Sequence, residues 1–323
     1  MNIVDGKRQS AADAYLAPAV NRPNLTVVTD ALVHRVRIQR MRCVGIDYSV
    51  GAESVRVGCS GEVVLTAGSI GSAQLLMLSG VGPASHLREV GIEVVEDLAG
   101  VGANLHDHPL AAGAVYRPAR PIPASRNNHG EAFGLLRSDS AVDAPDIQIL
   151  FLAAQLSPSF RVRPEPGCSI AVAVMHPHSR GTVRLAAGDA HTAPVLDPNY
   201  YGVDHDMTTM IAGLRLAREI GHAHALDPWR GALVAPGSDV TDDAGLRAYL
   251  RATLNSYKHP VGTCRMGEDD MAVVDTDLRV HGIDGLRVAD ASVMPSIPSA
   301  NTNATVYAIA ERAAAVIDPI LIP

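Results

Sequence analysis

The side chains best suited to chemistry lie in the C-terminal part of the chain. His259 directly precedes Pro260, and a residue before proline avoids the helical region, so its imidazole is expected to project from a loop. An imidazole has an ordinary pKa of about 6.5 and can accept or release a proton near neutral pH. Asp290 follows a strand-like segment, while Asn301 and Asn303 lead into a helical segment whose N-terminus suits an oxygen-rich ligand. Each feature is commonplace by itself, but their occurrence together in this order marks the block as a candidate site for such a ligand.

Thirteen histidines raise the alternative of a metal site. His106 with His108, and His176 with His178, each place two imidazoles two residues apart. A zinc site needs three or four ligands, and the spacing supplies no third, so no metal is expected. A serine hydrolase is also poorly supported, because G-x-S-x-G is absent and the GCSG at 58–61 is one residue short of it.

Composition and charge exclude several other classes of function. The 323 residues are 47% apolar, which is enough for a large core and argues against disorder. There are 27 basic and 34 acidic residues, and the resulting net charge of −7 disfavours nucleic acid as a partner. Four scattered cysteines form no C-x-x-C pair, which predicts no disulfide scaffold. Only Lys7 and Lys258 among the cations are lysines, a bias typical of a GC-rich, bacterial coding sequence.

One apolar segment has the length of a membrane span but not its character. Residues 63–85 carry no charge, yet they contain four glycines and a proline. This pattern is more typical of a buried strand, a tight turn and a short helix than of a lipid-facing helix. The first residues also lack a basic start followed by an apolar stretch, so we expect no membrane span and a cytoplasmic location.

The elements that must position these side chains predict a mixed α/β fold. Strand-like segments are LTVVT, LVHRVRI, CVGIDY, SVRVG and EVVLTAG within 24–66, DIQILFL, SIAVAVM and TVRL within 110–200, and LRV and GLRVAD near the end. Helical spacing dominates 204–255, where Thr241 with Asp242 and Asp243 is a candidate N-cap, and returns at 303–317. We predict a partial α/β cofactor-binding region at 1–109, an antiparallel-sheet substrate domain flanked by helices at 110–255, and a return to the first region at 256–323. A mobile loop at 117–130 and the strands at 146–176 are expected to determine specificity.

Two extended motifs carry a resemblance to a known family. The C-terminal block contains HPVGTCRMG at 259–267, LRVHG at 278–282, LRVADASVMP at 286–295 and NTNA at 301–304. A second stretch reads GSIGSAQLLMLSGVGP at 68–83. Together they resemble the signatures of the glucose–methanol–choline (GMC) flavoprotein oxidoreductases. The second motif departs from the family only at Ala73, where proline is usual but dispensable.

This resemblance implies an FAD-dependent enzyme that oxidises a small-molecule alcohol by hydride transfer from the carbinol carbon to flavin N5. His259 matches the family's proton-handling histidine, and Asn301 matches a second position that hydrogen-bonds the substrate oxygen. The residues that the resemblance places against FAD are Val33, Ala67, Gly68, Asp290, Ala291, Ser292, Asn303 and Ala304. The electron acceptor stays open, with the bacterial composition favouring a dehydrogenase over an oxidase.

The largest departure is a missing motif. The family holds the FAD diphosphate on a strand–GxGxxG–helix unit, and the sequence contains no G-x-G-x-x-G. Two hypotheses therefore stand: a GMC-type alcohol oxidoreductase, or a truncated or split form of one that needs a separate N-terminal FAD-binding chain.

Overall fold

The computed structural model describes residues 3–123, 130–157, 161–162 and 165–318. The strands are β1 (Ile3–Val4), β2 (Lys7–Arg8), β3 (Ala31–Gln39), β4 (Arg42–Val50), β5 (Glu53–Gly58), β6 (Val63–Leu65), β7 (Val81–Gly82), β8 (Glu96–Asp97), β9 (Pro109–Pro118), β10 (Gly130–Leu136), β11 (Ile147–Leu152), β12 (Cys168–Val174), β13 (Thr182–Arg184), β14 (Val195–Asp197), β15 (Arg230–Ala235), β16 (Asn255–Ser256) and β17 (Leu286–Val288). The helices are α1 (Ala17–Ala19), α2 (Gly68–Leu78), α3 (Ala84–Glu89), α4 (Asp204–Gly221), α5 (Asp243–Ala252) and α6 (Asn303–Ile317), with short turns of other helix types at Ala12–Leu16, His224–Leu226 and Ala291–Val293.

An antiparallel sheet forms the larger layer. Its strand order is β10-β11-β12-β9-β15, and β16 pairs with the beginning of β9. One face packs against α4, whose Met207, Met210 and Leu214 recur at helical spacing and are fully buried. The other face carries a second apolar cluster that includes Leu110, Ala173 and Met175. Because both faces are covered, β12 is buried along its whole length and is apolar except for Ser169, instead of alternating.

A second layer carries the elements around the C-terminal motifs. β3, β4 and β5 form an antiparallel meander, and β6 pairs in parallel with β17. Both parallel strands therefore end at the same edge, where Gly68 begins α2 and Asp290 follows β17. The core of this layer draws on residues 36–105 and 264–313, together with Val183 and Leu185 from the segment around β13.

The predicted fold class is confirmed, with corrections to individual elements. The run 63–85 forms β6, a turn, α2 and β7 as expected, and none of the described helices combines the length and apolar character that crossing a membrane requires. LTVVT at 25–29 is not a strand, since Leu25, Val27 and Val28 are exposed and the segment pairs with no described strand. LRV at 278–280 makes only isolated bridges.

Smaller expectations have mixed outcomes. Asp242, not Thr241, is the N-cap of α5, where its Oδ1 accepts from the Gly245 N–H at 2.7 Å. Of the loop expected at 117–130, Arg117 and Pro118 belong to β9, Gly130 begins β10, and residues 124–129 lie outside the described residues. The domain boundaries at 109 and 255 stay predictions.

Candidate active site

A buried carboxylate fixes the backbone of the His259 loop. The His259 N–H donates to Oδ1 of Asp107 at 2.9 Å. Oδ2 of Asp107 accepts from the hydroxyls of Tyr200 and Ser256. Since both oxygens already have donors within the protein, Asp107 positions this loop and is not itself available as a base.

A second histidine fixes the tautomer of His259. His108 is fully buried, and burial together with the neighbouring His259 lowers its pKa to about 3, so the ring is neutral at pH 7. Its Nε2 lies 3.1 Å from the carbonyl oxygen of Pro298, which can only accept, so Nε2 carries the proton. The Nδ1 of His108 is then an acceptor, and it lies 2.9 Å from Nδ1 of His259. His259 must therefore carry its own proton on Nδ1.

This arrangement leaves Nε2 of His259 unprotonated, so that this atom is a hydrogen-bond acceptor. Burial lowers the pKa of His259, and the charge of Asp107 partly opposes that shift, so the neutral form is favoured. Nδ2 of Asn301 lies 3.4 Å from this Nε2. The ring of Tyr257 lies beside the imidazole, with 4.3 Å between ring centroids. A proton acceptor and an amide donor thus face the same space, as the sequence predicts for His259 and Asn301.

The cofactor-side residues gather at the carboxyl ends of β6 and β17. Oδ2 of Asp290 accepts from the Gly68 N–H at 2.9 Å and from the Ser72 hydroxyl at 2.5 Å. Its Oδ1 accepts from the backbone N–H of Ser292 at 2.8 Å and from its hydroxyl at 2.5 Å. Four internal donors therefore occupy the Asp290 carboxylate, which joins the two turns that follow these strands.

These turns are also joined to the His259 loop. Ser69, in the first turn of α2, donates its hydroxyl to the Pro260 carbonyl at 2.7 Å. The Gly262 N–H donates to the Ala291 carbonyl at 3.2 Å. The predicted positions Ala291 and Ser292 are thus placed next to the His259 loop. Ala67 is the N-cap of α2 and lies in the same turn.

Backbone groups at this edge fit an anionic or oxygen-rich cofactor. Gly68 has φ +75°, a conformation that favours glycine, and no atom lies within 4 Å of the position a Cβ would take. The first hydrogen bond of α6 runs from the Val306 N–H to the Thr302 carbonyl. The N–H groups of Asn303 and Ala304 precede it and point out of a 15-residue helix. The residues present therefore fit part of an FAD site.

Val33 is not brought to this edge. It lies in β3 opposite Tyr48, and β3 reaches the rest of the layer where the Val36 N–H donates to the Ser79 hydroxyl at 2.8 Å. Ser79 caps the C-terminal end of α2, whereas Gly68 begins that helix. The length of α2 therefore separates the region of Val33 from the Gly68 turn.

The remaining histidine pairs form no metal centre among the residues that the structure describes. Nε2 of His106 lies 2.9 Å from Oδ1 of Asn104. The His178 ring stacks on that of His205, with 3.8 Å between centroids and 4° between planes. His108, the partner of His106 in the sequence pattern, contacts His259 instead.

Four contributors to the site were missed by sequence reasoning: Asp107, Gln148, Tyr257 and His108 in its actual role. One signal could have revealed Gln148, since it is the single polar residue inside the apolar strand β11 and a buried amide requires partners. No comparable signal identifies Asp107, because its contacts come from Tyr200 and Ser256, far along the chain.

Comparison with known proteins identifies the family. The N-terminal and C-terminal sequence profiles of the GMC oxidoreductases match residues 1–110 and 177–310. The chain belongs to the GMC oxidoreductase family.

Individual relatives agree with this assignment. Mitochondrial choline dehydrogenase from Homo sapiens is 39% identical over 98% of this chain and 58% of its own length. The structure of pyridoxine 4-oxidase from Mesorbium loti superposes with a TM-score of 0.92 at 35% identity, covering 97% of this chain and 62% of that one. Formate oxidase from Aspergillus oryzae, a protein with modified FAD, superposes with a TM-score of 0.84 at 25% identity, covering 94% and 62%. The chain thus spans about three fifths of the length of these relatives.

Proposed function

We propose that this chain supplies the substrate-binding and proton-handling part of an FAD-dependent oxidoreductase that acts on the CH–OH group of a small alcohol. The observation that carries the proposal is the convergence of the His259 Nε2 lone pair and the Asn301 amide, 3.4 Å apart. An alcohol oxygen that contacts both atoms from the open side would give its proton to Nε2 and accept the hydrogen bond from Nδ2 in place of Nε2. The carbinol carbon would then lose a hydride, which FAD accepts when bound.

The residues proposed to hold FAD are those at the edge formed by β6 and β17. The Ala67–Gly68 turn, Ala291 and the free N–H groups of Asn303 and Ala304 would face the cofactor, with Asp290 holding the turns in place. Val33 is retained as a contact on the adenine side through the family resemblance. Choline and pyridoxine, named for two relatives, are alcohols and are the first substrates to test. A cytoplasmic location stays a prediction, and the electron acceptor stays open.

The second candidate is a partial enzyme that depends on another polypeptide. It is favoured by β6, which pairs only with β17 among the described strands, although parallel sheets are ordinarily larger. In that case, a separately expressed GxGxxG-bearing piece would be required before FAD is held.

Two measurements test these candidates. A purified chain with a visible flavin spectrum binds FAD unaided, whereas a colourless chain that gains the spectrum with the second piece needs that piece to hold FAD. In the flavin-loaded form, His259→Ala should lower kcat for choline, pyridoxine or benzyl alcohol by at least about 10²-fold and leave the flavin absorbance unchanged. Unchanged turnover would remove His259 from its proposed role.

A further inference from the structure

Gln148 is a buried amide beside the proposed catalytic pair. It is 1% exposed, lies opposite Ala173 in the sheet, and shares its face of β11 with Leu150 and Leu152. Its Nε2 donates to Oδ1 of Asn301 at 3.1 Å. An amide in such apolar surroundings is costly unless its groups are satisfied, so its partners need an explanation.

Tyr257 satisfies the other end of this amide. The Tyr257 hydroxyl donates to Oε1 of Gln148 at 2.6 Å. Asn301 also hydrogen-bonds the Tyr257 hydroxyl, which lowers the pKa of Tyr257, although burial has the larger effect and raises it. Tyr257, Gln148 and Asn301 therefore form a connected group with every amide atom assigned to a partner.

All hydrogen bonds from Tyr257 to Pro298 run in the same direction. Tyr257 donates to Gln148, and Gln148 donates to Asn301. Asn301 then presents its Nδ2 to Nε2 of His259. His259 donates from Nδ1 to His108, and His108 donates to the Pro298 carbonyl.

We propose that Gln148 is a positioning residue for the reaction, which turns the Asn301 amide so that Nδ2, not Oδ1, faces His259. This inference rests on the proposed role of His259 as the base. If Asn301 were turned over, its Oδ1 would face Nε2 and would favour a proton on that atom, which would block the base. Gln148 prevents this by donating to Oδ1, and Tyr257 holds Gln148 by donating to Oε1.

The same orientation serves the substrate. Both hydrogens of the Asn301 amide nitrogen have acceptors, the Tyr257 hydroxyl oxygen and Nε2 of His259. Asn301 is exposed in the described chain, so an alcohol oxygen that enters can replace Nε2 as the acceptor of its hydrogen and donate its own proton to Nε2. Gln148 thus orients both the donor and the acceptor of the proposed pair without touching the substrate.

The direct test is the tautomer of His259, read by ¹⁵N-histidine NMR of the full chain, with the signal assigned by its loss in His259→Asn. We expect the proton on Nδ1 and an unprotonated Nε2 at pH 7.5. Gln148→Met removes both the donor and the acceptor at similar volume and should give a mixture with protonated Nε2. Tyr257→Phe should also increase the fraction of His259 with a protonated Nε2, by a smaller amount. A protonated Nε2 in the wild-type protein overturns the proposal, and so does a His259 tautomer that is unchanged in both variants.

Kinetics of the flavin-loaded enzyme, with the fastest of choline, pyridoxine and benzyl alcohol, give a second readout. Gln148→Met should lower kcat by about 10²-fold with a smaller change in KM. In Gln148→Glu, the protonated side chain can still donate to Asn301, but the ionised one can only accept and turns the amide over. Over the pH range in which the wild-type kcat is constant, the kcat of Gln148→Glu should therefore fall as pH rises, or be low at every pH. If the kcat of Gln148→Glu is constant over that range at the wild-type value, the inference is contradicted.

Gln155 provides the matched control, because it is also a buried glutamine near this sheet and donates to the Pro166 carbonyl at 2.7 Å. Gln155→Met should change neither the His259 tautomer nor the pH profile. If no alcohol reduces the flavin, the proposed function fails, and the NMR result still decides the role of Gln148.

Discussion

Nδ1 of His259 lies 2.9 Å from Nδ1 of His108, and His108 has no proton to give at that atom because its Nε2 donates to the Pro298 carbonyl. The proton between the two rings therefore belongs to His259. A backbone carbonyl, which cannot titrate, thereby determines which nitrogen of His259 is left unprotonated. The protonation of His259 can therefore be tested separately from the position of its loop.

His108→Leu removes the acceptor for His259 and should lower kcat of the flavin-loaded enzyme by about 10²-fold, because the tautomer is no longer fixed. His108→Asn retains an acceptor oxygen near the position of Nδ1 and should recover part of that loss. Steady-state kinetics with the best alcohol substrate would measure both variants. Equal losses in the two variants would show that the acceptor atom is unimportant.

The rate should depend on pH through the His259 imidazole. The base must be neutral, and burial lowers its pKa, so kcat/KM should rise with pH and reach its plateau at a lower pH than a free imidazole would. The Asp107 charge raises the pKa of His259, so Asp107→Asn should move the rising limb to lower pH. A pH–rate profile of each enzyme checks this, and a limb displaced to higher pH in the variant would contradict it.

Conformational stability should also fall in mild acid. Burial is the main cause that lowers the pKa of both His106 and His108 to about 3, whereas an unfolded histidine titrates near 6.5. Below pH 6.5 the unfolded chain therefore binds more protons than the folded one. The free energy of unfolding should fall by up to about 1.4 kcal/mol per pH unit for each histidine, until the pH approaches 3.

Urea unfolding at pH 7.5, 6 and 5 would measure this slope. His108→Leu should reduce the slope, because a titrating group is lost from the unfolded state. His224→Gln is the control, since the side chain of His224 is fully exposed. If the free energy of unfolding of the wild-type protein does not change between pH 7.5 and 5, His106 and His108 are not a neutral, buried pair.

The sequence predicts the pair His259 and Asn301 because both lie in motifs that can be read locally. The strands and helices follow from local periodicity in the same way, as with α6, whose observed bounds match the predicted 303–317. Gln148 and Asp107 could not be placed, since their roles depend on residues 153 and 149 positions away in the chain, Asn301 and Ser256. LTVVT was predicted wrongly because strand propensity does not supply a pairing partner.

Asp290→Asn should destabilise the chain by about 2–4 kcal/mol. One carboxylate oxygen becomes an NH₂ group that faces two donors, so buried hydrogen bonds to Gly68 and Ser72, or those to Ser292, are lost. Urea unfolding would measure the loss, and flavin affinity should fall with it if this edge holds FAD. Asp284→Asn changes an exposed aspartate and should have little effect. Similar free energies of unfolding in both variants would show that Asp290 does not hold together the turns after β6 and β17.

Gly113→Ala should disrupt the register of β9. Gly113 has φ +68°, and an added Cβ would lie 1.8 Å from the carbonyl oxygen of Ile170. The strand pairing shifts at this point, with Ile170 opposite Ala114 and Val172 opposite Ala111, so the glycine forms part of a bulge.

Correction of the clash requires movement of β12 or loss of the bulge, and loss of the bulge would turn side chains to the opposite face. Because β9 begins directly after His108, the movement would reach His108 and its contact with His259. We expect a loss of more than about 2 kcal/mol in the free energy of unfolding. Gly134→Ala is the matched control in β10, where a Cβ would have nothing within 4 Å, and should change stability by no more than about 0.5 kcal/mol. Equal stability of the two variants, measured by urea unfolding, would show that the bulge does not constrain the sheet.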